Sequence, residues 1–466
     1  MYLGILTSHP IQYQAPWLRA LAKEVELEVY FAHRPDAAQQ GEGFGKSFSW
    51  DVDLLSGYRH RFLKNVSTRP SPSSFFGCDT PEIAKIIEGL QDDGRRTTGQ
   101  QVSGQSSVVS GQRPRRFDAF IVCGWHLKTY WQAIRACRRA GIPVLVRGDS
   151  QLMTPRSRLK TWAKEIGYRL MLQQFDGFLV VGQRNREYLA HYGVSAEKMF
   201  FAPHFVDNDF FRQKAETLKS QKTEIRKRWG VPVDAFCVLF CGKFIAKKRP
   251  LDLVEAARIL TAEDAKNAKE GGKPSVHLLF VGSGELGELL RARCDVVFDA
   301  ENSAEKQKPE TETLKVESRG RKAEGRNLPD SVSARPRATF AGFLNQSELP
   351  AAYVAADVMV LPSESETWGL AVNEAMACGL PAIVADAVGC APDLIEDGKT
   401  GFTFPTGDTN TLAIRLQQIA EMRQPGFNLS HALETKLLAY SLKTTTDGTL
   451  QAVQQFEAMG LVKNPI

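Results

Sequence analysis

The sequence predicts an α/β protein built from two doubly wound domains, each a parallel sheet flanked by helices. Short apolar runs that fit buried strands alternate along the chain with segments whose apolar residues recur at helical spacing, as in such sheets. The length of 466 residues is sufficient for two separate hydrophobic cores. With 43% hydrophobic and 24% charged residues, the composition is typical of a globular protein.

The first domain is predicted over residues 1–205. We expect strands at residues 3–7, 25–31, 117–123, 143–147, 177–181 and 199–201, with a helix over 15–23 between the first two. Residues from about 92 to 116 are rich in Gly, Ser, Gln and Arg and show no apolar periodicity. Such a composition cannot bury enough apolar surface to fold, so we expect a flexible surface insertion there.

The segment 156–172 mixes basic and apolar residues and is predicted to be helical. It fits a core-facing helix with a solvated basic side. The alternative is a helix that lies on a membrane surface, where basic residues meet anionic lipid. Both interpretations remain open at the level of the sequence.

Charge and cysteine usage limit the class of protein. A formal charge of +6 suits an anionic ligand or transient contact with an anionic membrane surface, and it is weak evidence for nucleic acid. The eight cysteines lie mostly inside apolar runs without metal-ligand spacing, which indicates buried thiols in a reducing compartment. The first residues lack the basic and apolar regions of a secretory signal. We therefore expect a cytoplasmic protein.

The second domain is predicted over residues 206–430, with closing helices over 431–466. A basic helix near 219–229 leads into a strand at 235–241, which is followed by the basic loop 242–250. A strand at 277–281 ends in a glycine turn that contains Gly282, and residues from about 300 to 337 form a second predicted flexible insertion. The fold resumes at 339–343, and a further helix follows residue 408.

The stretch from 357 to 385 is the centre of the functional argument. Strands at 357–361 and 382–385 enclose a loop and a helix. Thr367 is a candidate N-cap of this helix, and Gly379 with Pro381 ends it. Glu366 then lies on the loop, and Glu374 lies about two turns along.

The spacing of these two glutamates suits a sugar nucleotide. Eight residues of helical rise cover roughly 12 Å, about the distance from a hexose, past its diphosphate, to the ribose. The diphosphate would lie over the helix start, near the amides of Trp368, Gly369 and Leu370. A pair of solvated glutamates is one alternative. A glycosidase pair is another, but its carboxylates lie only roughly 5 to 9.5 Å apart.

Several motifs of the second domain form one ordered set: Pro362-Ser363, Glu366, Gly369, Glu374-Ala375-Met376-Ala377-Cys378-Gly379-Leu380-Pro381 and Gly398-Lys399-Thr400-Gly401-Phe402. This set resembles the donor site of retaining glycosyltransferases of family 4, which have the GT-B fold of two Rossmann-like, doubly wound domains facing a cleft. The resemblance covers most of the chain and is strongest from about 236 to 422. The two predicted insertions have no counterpart in it. The resemblance also implies that the closing helices over 431–466 cross back to the first domain.

The resemblance implies roles for individual residues. In this family the first glutamate contacts the transferred sugar and the second binds the donor ribose, which implies these roles for Glu366 and Glu374. The basic loop 242–250 matches the family's loop in which two basic residues grip the diphosphate, which implies that role for Lys243 and Lys248, with a merely solvated basic turn as the alternative. The resemblance also implies that His126 lies near the donor sugar and that Gly282 lies on the nucleotide side. Gly342 and Phe343 are predicted to lie by the base, and the helix-start argument above places Thr367, Trp368, Gly369 and Leu370 beside the donor. His126 could alternatively cap the next helix.

The sequence departs from the family in two loops. The family's first loop usually carries glycines that approach the donor phosphates, whereas residues 8–14 contain none. His9, in that loop, is predicted to help bind donor or acceptor, with a structural loop histidine as the alternative. The family often has arginine where this chain has Lys243, and glycine where it has Arg249.

The resemblance implies a metal-independent retaining glycosyltransferase with two substrates, a nucleotide-sugar donor and a glycan or lipid-linked acceptor. No cofactor is expected, because the nucleotide sugar is itself a substrate. We do not assign Asp51-Val52-Asp53 to a metal, since three residues match such a motif easily by chance. We expect no nucleic acid partner and leave peripheral contact with the inner membrane face open. The alternative function is a catalytically silent sugar-nucleotide-binding protein of the same fold.

Overall fold

The protein forms two compact units. The computed structural model describes residues 1–41, 43–89, 116–153, 158–267, 275–301, 335–423 and 429–458. The first unit comprises Met1–Gln40, Phe48–Asn208 and Lys436–Ile466, and the second comprises Gly41–Ser47 and Asp209–Thr435. The predicted domain boundaries lie after residues 205 and 430, and they do not anticipate Gly41–Ser47 in the second unit. Most of the predicted insertions, residues 92–115 and 302–334, lies outside the described residues.

The first unit is built on a seven-stranded parallel sheet. Its strands are β1 (Tyr2–Thr7), β2 (Glu26–Phe31), β3 (Arg59–Phe62), β4 (Ala119–Val122), β5 (Val144–Gly148), β6 (Gly177–Val180) and β7 (Met199–Phe201). They lie in the order β3-β2-β1-β4-β5-β6-β7, and all neighbours pair in parallel. Along β1, Leu3 and Ile5 enter one hydrophobic cluster and Leu6 another, because successive side chains point to opposite faces.

Helices flank this sheet. Those of the first unit are Ala15–Glu24, Ala37–Gln40, Glu82–Ile87, Lys128–Ala140, Arg158–Leu172, Gln183–His191 and Leu442–Ala458. The helix Leu442–Ala458 packs against Ala15–Glu24 and β7, and the Trp17 indole donates a hydrogen bond to Thr449 Oγ1 at 3.3 Å. This helix is therefore part of the first unit, although it follows the second unit in the sequence.

The second unit is built on another seven-stranded parallel sheet. Its strands are β8 (Phe236–Cys241), β9 (Val276–Val281), β10 (Asp295–Asp299), β11 (Arg337–Gly342), β12 (Val358–Leu361), β13 (Ala382–Ala385) and β14 (Gly401–Phe404). The order is β10-β11-β9-β8-β12-β13-β14. The strand order reverses at β8 and β12, and such a switch point is where open α/β sheets bind ligands.

The helices of the second unit follow the alternation that the sequence predicts. They are Asn208–Lys219, Lys222–Arg228, Pro250–Asn267, Gly287–Arg293, Leu349–Ala355, Leu370–Ala377, Ala391–Leu394 and Thr409–Glu421. The helix Ser430–Ala439 contains the boundary between the two units, after Thr435. A 3₁₀ turn, Ala246–Lys248, follows β8. The Asp408 carboxylate accepts from the Thr411 amide at 2.9 Å and so caps the helix Thr409–Glu421.

A buried ionic cluster fixes β12 beside β8. The Asp357 carboxylate accepts from Arg226 Nη2 at 2.7 Å, from Lys222 Nζ at 3.0 Å and from the Cys237 amide at 2.9 Å. Burial acts to raise the pKa of Asp357, but the charges of Lys222 and Arg226 outweigh it and lower that pKa. The start of β12 is thereby held next to the start of β8, and the two loops that follow these strands begin side by side.

The helix Arg158–Leu172, for which the sequence leaves two interpretations open, packs against the core only in part. Leu172 is buried and Met171 packs against the core, but Ile166 and Leu170 are 51% and 59% exposed. The described part of this helix therefore does not present all its apolar residues to the core. In the ranges that the structure describes, no helix is both long and apolar enough to cross a membrane.

Candidate active site

The candidate site lies at the carboxyl ends of β8 and β12. The loop after β8 carries Lys243 and Lys248, and the loop after β12 carries Glu366. The Glu364 amide donates a hydrogen bond to the Lys247 carbonyl at 3.1 Å, which joins the two loops directly. Residues far apart in the sequence are thus brought together at the switch point of the second sheet.

Lys248 and Glu366 form an ion pair between these loops. Their side chains are 18% and 19% exposed, so both charges are partly desolvated. The backbone fixes Glu366, because its carbonyl accepts from the Gly389 amide at 2.9 Å and it forms a bridge with Val388. Removal of either charge would leave the other partly buried without its partner.

The helix after this loop begins later than predicted, so Thr367 as the N-cap is wrong. Gly369 is the N-cap, with φ of 109°, and the helix starts at Leu370. The Cys390 amide donates to the Trp368 carbonyl at 2.9 Å, and the chain is not helical before Leu370. The positive φ of Gly369 favours glycine, and an added Cβ would also lie 3.0 Å from Leu361 Cδ2, so that side chain would have to shift.

This later start changes the spacing argument. Glu374 is only four residues past Leu370, so a continuous helical rise of roughly 12 Å from Glu366 does not apply. The amide of Leu370 still lies in the first turn, whose N–H groups have no acceptor within the helix. Trp368 is buried, and its indole donates to Asn373 Oδ1 at 2.8 Å. Its side chain therefore supports the helix start.

Glu374 is almost completely buried. It is 1% exposed, and its Oε2 accepts a hydrogen bond from the Tyr353 hydroxyl at 2.6 Å. Tyr353 is equally buried and comes from the neighbouring helix Leu349–Ala355. Burial, with a contribution from the charge of Glu374, raises the pKa of the Cys241 thiol to about 12. The Glu374 carboxylate is thus held in one orientation within a low-dielectric environment.

A second group of predicted residues lies at the ends of β9 and β11. The Gly282 amide donates to the Gly342 carbonyl at 2.8 Å, and the Phe244 amide donates to the Ser283 carbonyl at 2.9 Å. These bonds connect the ends of β8, β9 and β11. Gly282, Gly342 and Phe343 are therefore brought to the same edge of the sheet as Lys243.

The two predicted histidines lie in the first unit. His9 follows β1, and its Nδ1 lies 2.9 Å from Ser8 Oγ. Burial, aided by the charge of His33, lowers the pKa of His9 to about 4. His126 is exposed after β4, with its ring 5.7 Å from that of Tyr130. It does not cap the next helix, whose N-cap, Leu127, has no side-chain capping bond.

Sequence reasoning missed several residues around the site. Tyr353 and Asn373 carry no motif of their own and are recognised only by their contacts with Glu374 and Trp368. The hydroxyl of Ser363 is buried without a hydrogen-bond partner among the described residues. Over the same residues, no three His, Cys, Asp or Glu side chains are grouped so that they could hold a metal ion. The predicted metal independence stays a prediction.

Most of the second unit matches a known protein family. Residues 221–436 match the model of a family described as Glycosyl transferases group 1. The chain carries a glycosyl transferases group 1 domain. This domain includes every predicted site residue of the second unit, from Lys243 to Glu374.

Curated glycosyltransferases are similar to this chain in sequence. A D-inositol 3-phosphate glycosyltransferase of Thermomonospora curvata is 28% identical over 74% of this chain and 76% of its own length. Among the first relatives matched, the aligned part covers 22%, 55% and 76% of their lengths.

Two crystal structures share the fold over almost the whole chain. A glycosyltransferase from Rickettsia africae has a TM-score of 0.63 at 13% identity, with 100% of this chain and 99% of that chain covered. Anabaena Alr3699/HepE in complex with UDP-glucose has a TM-score of 0.57 at 15% identity, with 98% and 100% covered. The two parallel sheets with flanking helices match these structures. The predicted fold, GT-B with two Rossmann-like domains, is therefore confirmed.

Proposed function

We propose that the protein is a metal-independent, retaining glycosyltransferase that moves a sugar from a nucleotide donor to a hydroxyl of a glycan or lipid-linked acceptor. One observation carries the proposal. At the switch point of the group 1 domain, Lys248 from the loop after β8 pairs with Glu366 from the loop after β12. Anionic and hydroxyl-rich ligands need these two groups, a fixed cation and a fixed acceptor, side by side.

The donor's diphosphate would bind the cations of the β8 loop. Lys243 and Lys248 supply fixed positive charge, and the first-turn amide of Leu370 adds a backbone donor. As the bond from the sugar to the diphosphate breaks, negative charge accumulates on the departing phosphate oxygens. Preorganised cations stabilise this charge more strongly in the transition state than in the bound donor. That role would replace a divalent metal.

The two glutamates would bind the remaining parts of the donor. Glu366 can accept from sugar hydroxyls once the diphosphate competes for Lys248, so donor binding would exchange one partner of this pair for another. Glu374 would accept from the ribose hydroxyls, with Tyr353 holding its other oxygen. For retention, the acceptor hydroxyl attacks on the face that the diphosphate leaves and gives its proton to the departing phosphate oxygen. No nucleophile of the protein is needed.

The first unit would bind the acceptor. With a pKa lowered to about 4, His9 is neutral at physiological pH and would serve as a neutral hydrogen-bonding group. His126, exposed at the end of β4, would face the donor sugar. The matched relatives include a D-inositol 3-phosphate glycosyltransferase, whose name supports a hydroxyl-rich acceptor. We place the reaction in the synthesis of cell-surface polysaccharides or glycoconjugates.

The same proposal places the protein in the cytoplasm with peripheral contact at the inner membrane face. The exposed Ile166 and Leu170, beside the basic Arg169, support that contact. Sedimentation with vesicles containing anionic lipid should carry the protein down, and Leu170→Glu should reduce the bound fraction. Equal binding of both forms would contradict this placement.

Nucleotide binding and turnover test the proposed function together. Calorimetry with UDP, GDP and ADP should find one nucleoside diphosphate that binds, and Glu374→Gln should weaken it by about tenfold, because a carboxylate is a stronger acceptor for ribose than an amide. Glu421→Gln, an exposed change in the same domain, is the matched control. A folded wild-type protein that binds none of the three would overturn the proposal.

Turnover separates an enzyme from a silent binding protein. The matching nucleotide sugar, with UDP-glucose as the first probe, should be slowly hydrolysed in the presence of a chelator. Proton NMR should show that the released sugar first appears with the donor's anomeric configuration. Binding without any hydrolysis or transfer would favour the silent sugar-nucleotide-binding protein, and inversion of the anomer would contradict the retaining mechanism.

A further inference from the structure

A glycine-rich, basic loop from the first half of the chain lies in the second unit. This loop, residues 43–47 with the sequence Gly-Phe-Gly-Lys-Ser, follows the helix Ala37–Gln40 and belongs to the same compact unit as the group 1 domain. A turn holds its start, because the Phe44 amide donates to the Gly41 carbonyl at 2.9 Å. No motif of the proposed function uses this loop.

The loop touches Ser283 and Phe343, and Phe343 is predicted to lie by the donor base. The Phe44 carbonyl accepts from Ser283 Oγ at 2.6 Å. The Phe44 ring meets the Phe343 ring edge to face, with centroids 5.0 Å apart and an interplanar angle of 80°. Phe44 therefore bridges the ends of β9 and β11 at the carboxyl edge of the second sheet.

Two lysines flank this aromatic pair. Lys243 Nζ lies 5.0 Å from the centre of the Phe44 ring, and Lys46 Nζ lies 5.1 Å from that of Phe343. Gly43 permits the approach: its φ is 83°, and an added Cβ would lie 2.9 Å from Lys243 Nζ. The result is a compact arrangement of two rings and two ammonium groups, with Lys46 exposed to solvent.

We infer that residues 43–47 form part of the donor-nucleotide site, with Phe44 standing nearly at a right angle to Phe343 as a second wall for the base and Lys46 supplying a further cation for the diphosphate. Aromatic faces stack on nucleic acid bases, and an ammonium in contact with a ring can exchange it for a stronger charge-assisted bond to phosphate. This inference rests on the proposed function. The loop 43–47 would also supply the glycines near the phosphates that residues 8–14 lack.

Calorimetry on single variants tests the loop. With whichever of UDP, GDP and ADP the wild type binds, Lys46→Ala and Phe44→Ala should each raise Kd about tenfold. Lys46→Arg should keep most of the affinity, because it keeps the charge. Lys227→Ala and Phe76→Ala remove an exposed lysine and an exposed phenylalanine elsewhere, and both should bind as the wild type does.

The outcomes distinguish failure of this inference from failure of the proposed function. Unchanged affinity in the loop variants, beside a binding wild type, overturns the inference and leaves the proposed function standing. Tighter binding in them also overturns it, since the loop would then occupy the site and be displaced by nucleotide. A wild type that binds none of the three diphosphates overturns the proposed function, and this inference with it.

Amine labelling of the wild-type protein gives a test that does not depend on variants. Saturating nucleoside diphosphate should slow the acetylation of Lys46 at least fivefold, as followed by peptide mass spectrometry, and leave that of Lys227 unchanged. Equal or faster labelling of Lys46 with nucleotide present would contradict a direct contact.

Discussion

The hydrogen bond between Tyr353 and Glu374 gives a prediction whose size follows from the structure. Both side chains are 1% exposed, and the hydroxyl lies 2.6 Å from Glu374 Oε2. Tyr353→Phe removes only the hydroxyl and leaves a buried carboxylate with one donor fewer. Hydrogen bonds to charged groups contribute about 1.5–3 kcal/mol, so this variant should lose about that much free energy of unfolding.

A double-mutant cycle isolates the pair. In the Glu374→Gln background the hydroxyl would donate to a neutral amide oxygen, a bond worth about 0.5–1.5 kcal/mol. The loss caused by Tyr353→Phe should therefore shrink by about 1 kcal/mol, measured from urea unfolding with m values shared within error. An equal loss in both backgrounds, or a loss below about 0.5 kcal/mol in the wild type, would refute the reasoning. Tyr353→Phe should also weaken the binding of the nucleoside diphosphate less than Glu374→Gln does, because Tyr353 only positions the carboxylate.

Three further predictions concern charge and backbone. Lys243→Ala and Lys248→Ala should each lower kcat on the order of 10²-fold, which is more than they weaken donor binding. Lys247→Ala, an exposed change in the same turn, should leave kcat unchanged. Equal kcat in all three variants would contradict the roles assigned to Lys243 and Lys248. Arg249 has φ of 49°, so Arg249→Gly should be more stable than Arg249→Ala by about 1 kcal/mol in urea, and the reverse order would exclude backbone strain there. The pKa of His9 is lowered to about 4 from about 6.5 in the unfolded chain. The free energy of unfolding should therefore fall as pH drops from 6.5 towards 4, by up to about 1.4 kcal/mol per pH unit. A His9→Gln variant with the same pH dependence would contradict this role of His9.

The interior of the fold could be predicted from local sequence because its strands are buried on both faces. Such strands are continuous apolar runs, and β13 coincides with the predicted residues 382–385. The edge strands β3 and β10 lack that signal: their residues are mostly exposed, and both include charged residues. They form because a neighbouring strand pairs with them, which a local pattern does not reveal.

The start of the helix Leu370–Ala377 shows a different limit. Thr367 has the chemistry of an N-cap, but the chain around it pairs with Val388 and Cys390, about twenty residues later. That tertiary pairing decides where the helix can begin and overrides the local preference. Gly369, the N-cap of the helix, has a positive φ that favours glycine.

Phe44 and Tyr353 could not be assigned from the sequence for a related reason. The residue types are ordinary, and each gains significance only from what it contacts. Tyr353 lies 21 residues from Glu374, and Phe44 lies 239 residues from the serine that binds its carbonyl. By contrast, Lys248 and Glu366 could each be predicted from the sequence, because each belongs to a recognisable loop.

What joins Lys248 to Glu366 is the order of strands. The two residues are 118 positions apart, and β9, β10, β11 and their helices lie between them in the sequence. Because the chain returns after β11 to place β12 on the free side of β8, the loops after these strands emerge next to each other. In the protein alone the two partly buried charges neutralise one another. A bound nucleotide sugar would offer both a diphosphate for the cation and hydroxyls for the carboxylate, so neither charge would be left unpaired when their mutual contact is broken. A ligand with only one of these features would replace only one half of the ion pair, so under the proposed function the site would bind the intact donor in preference.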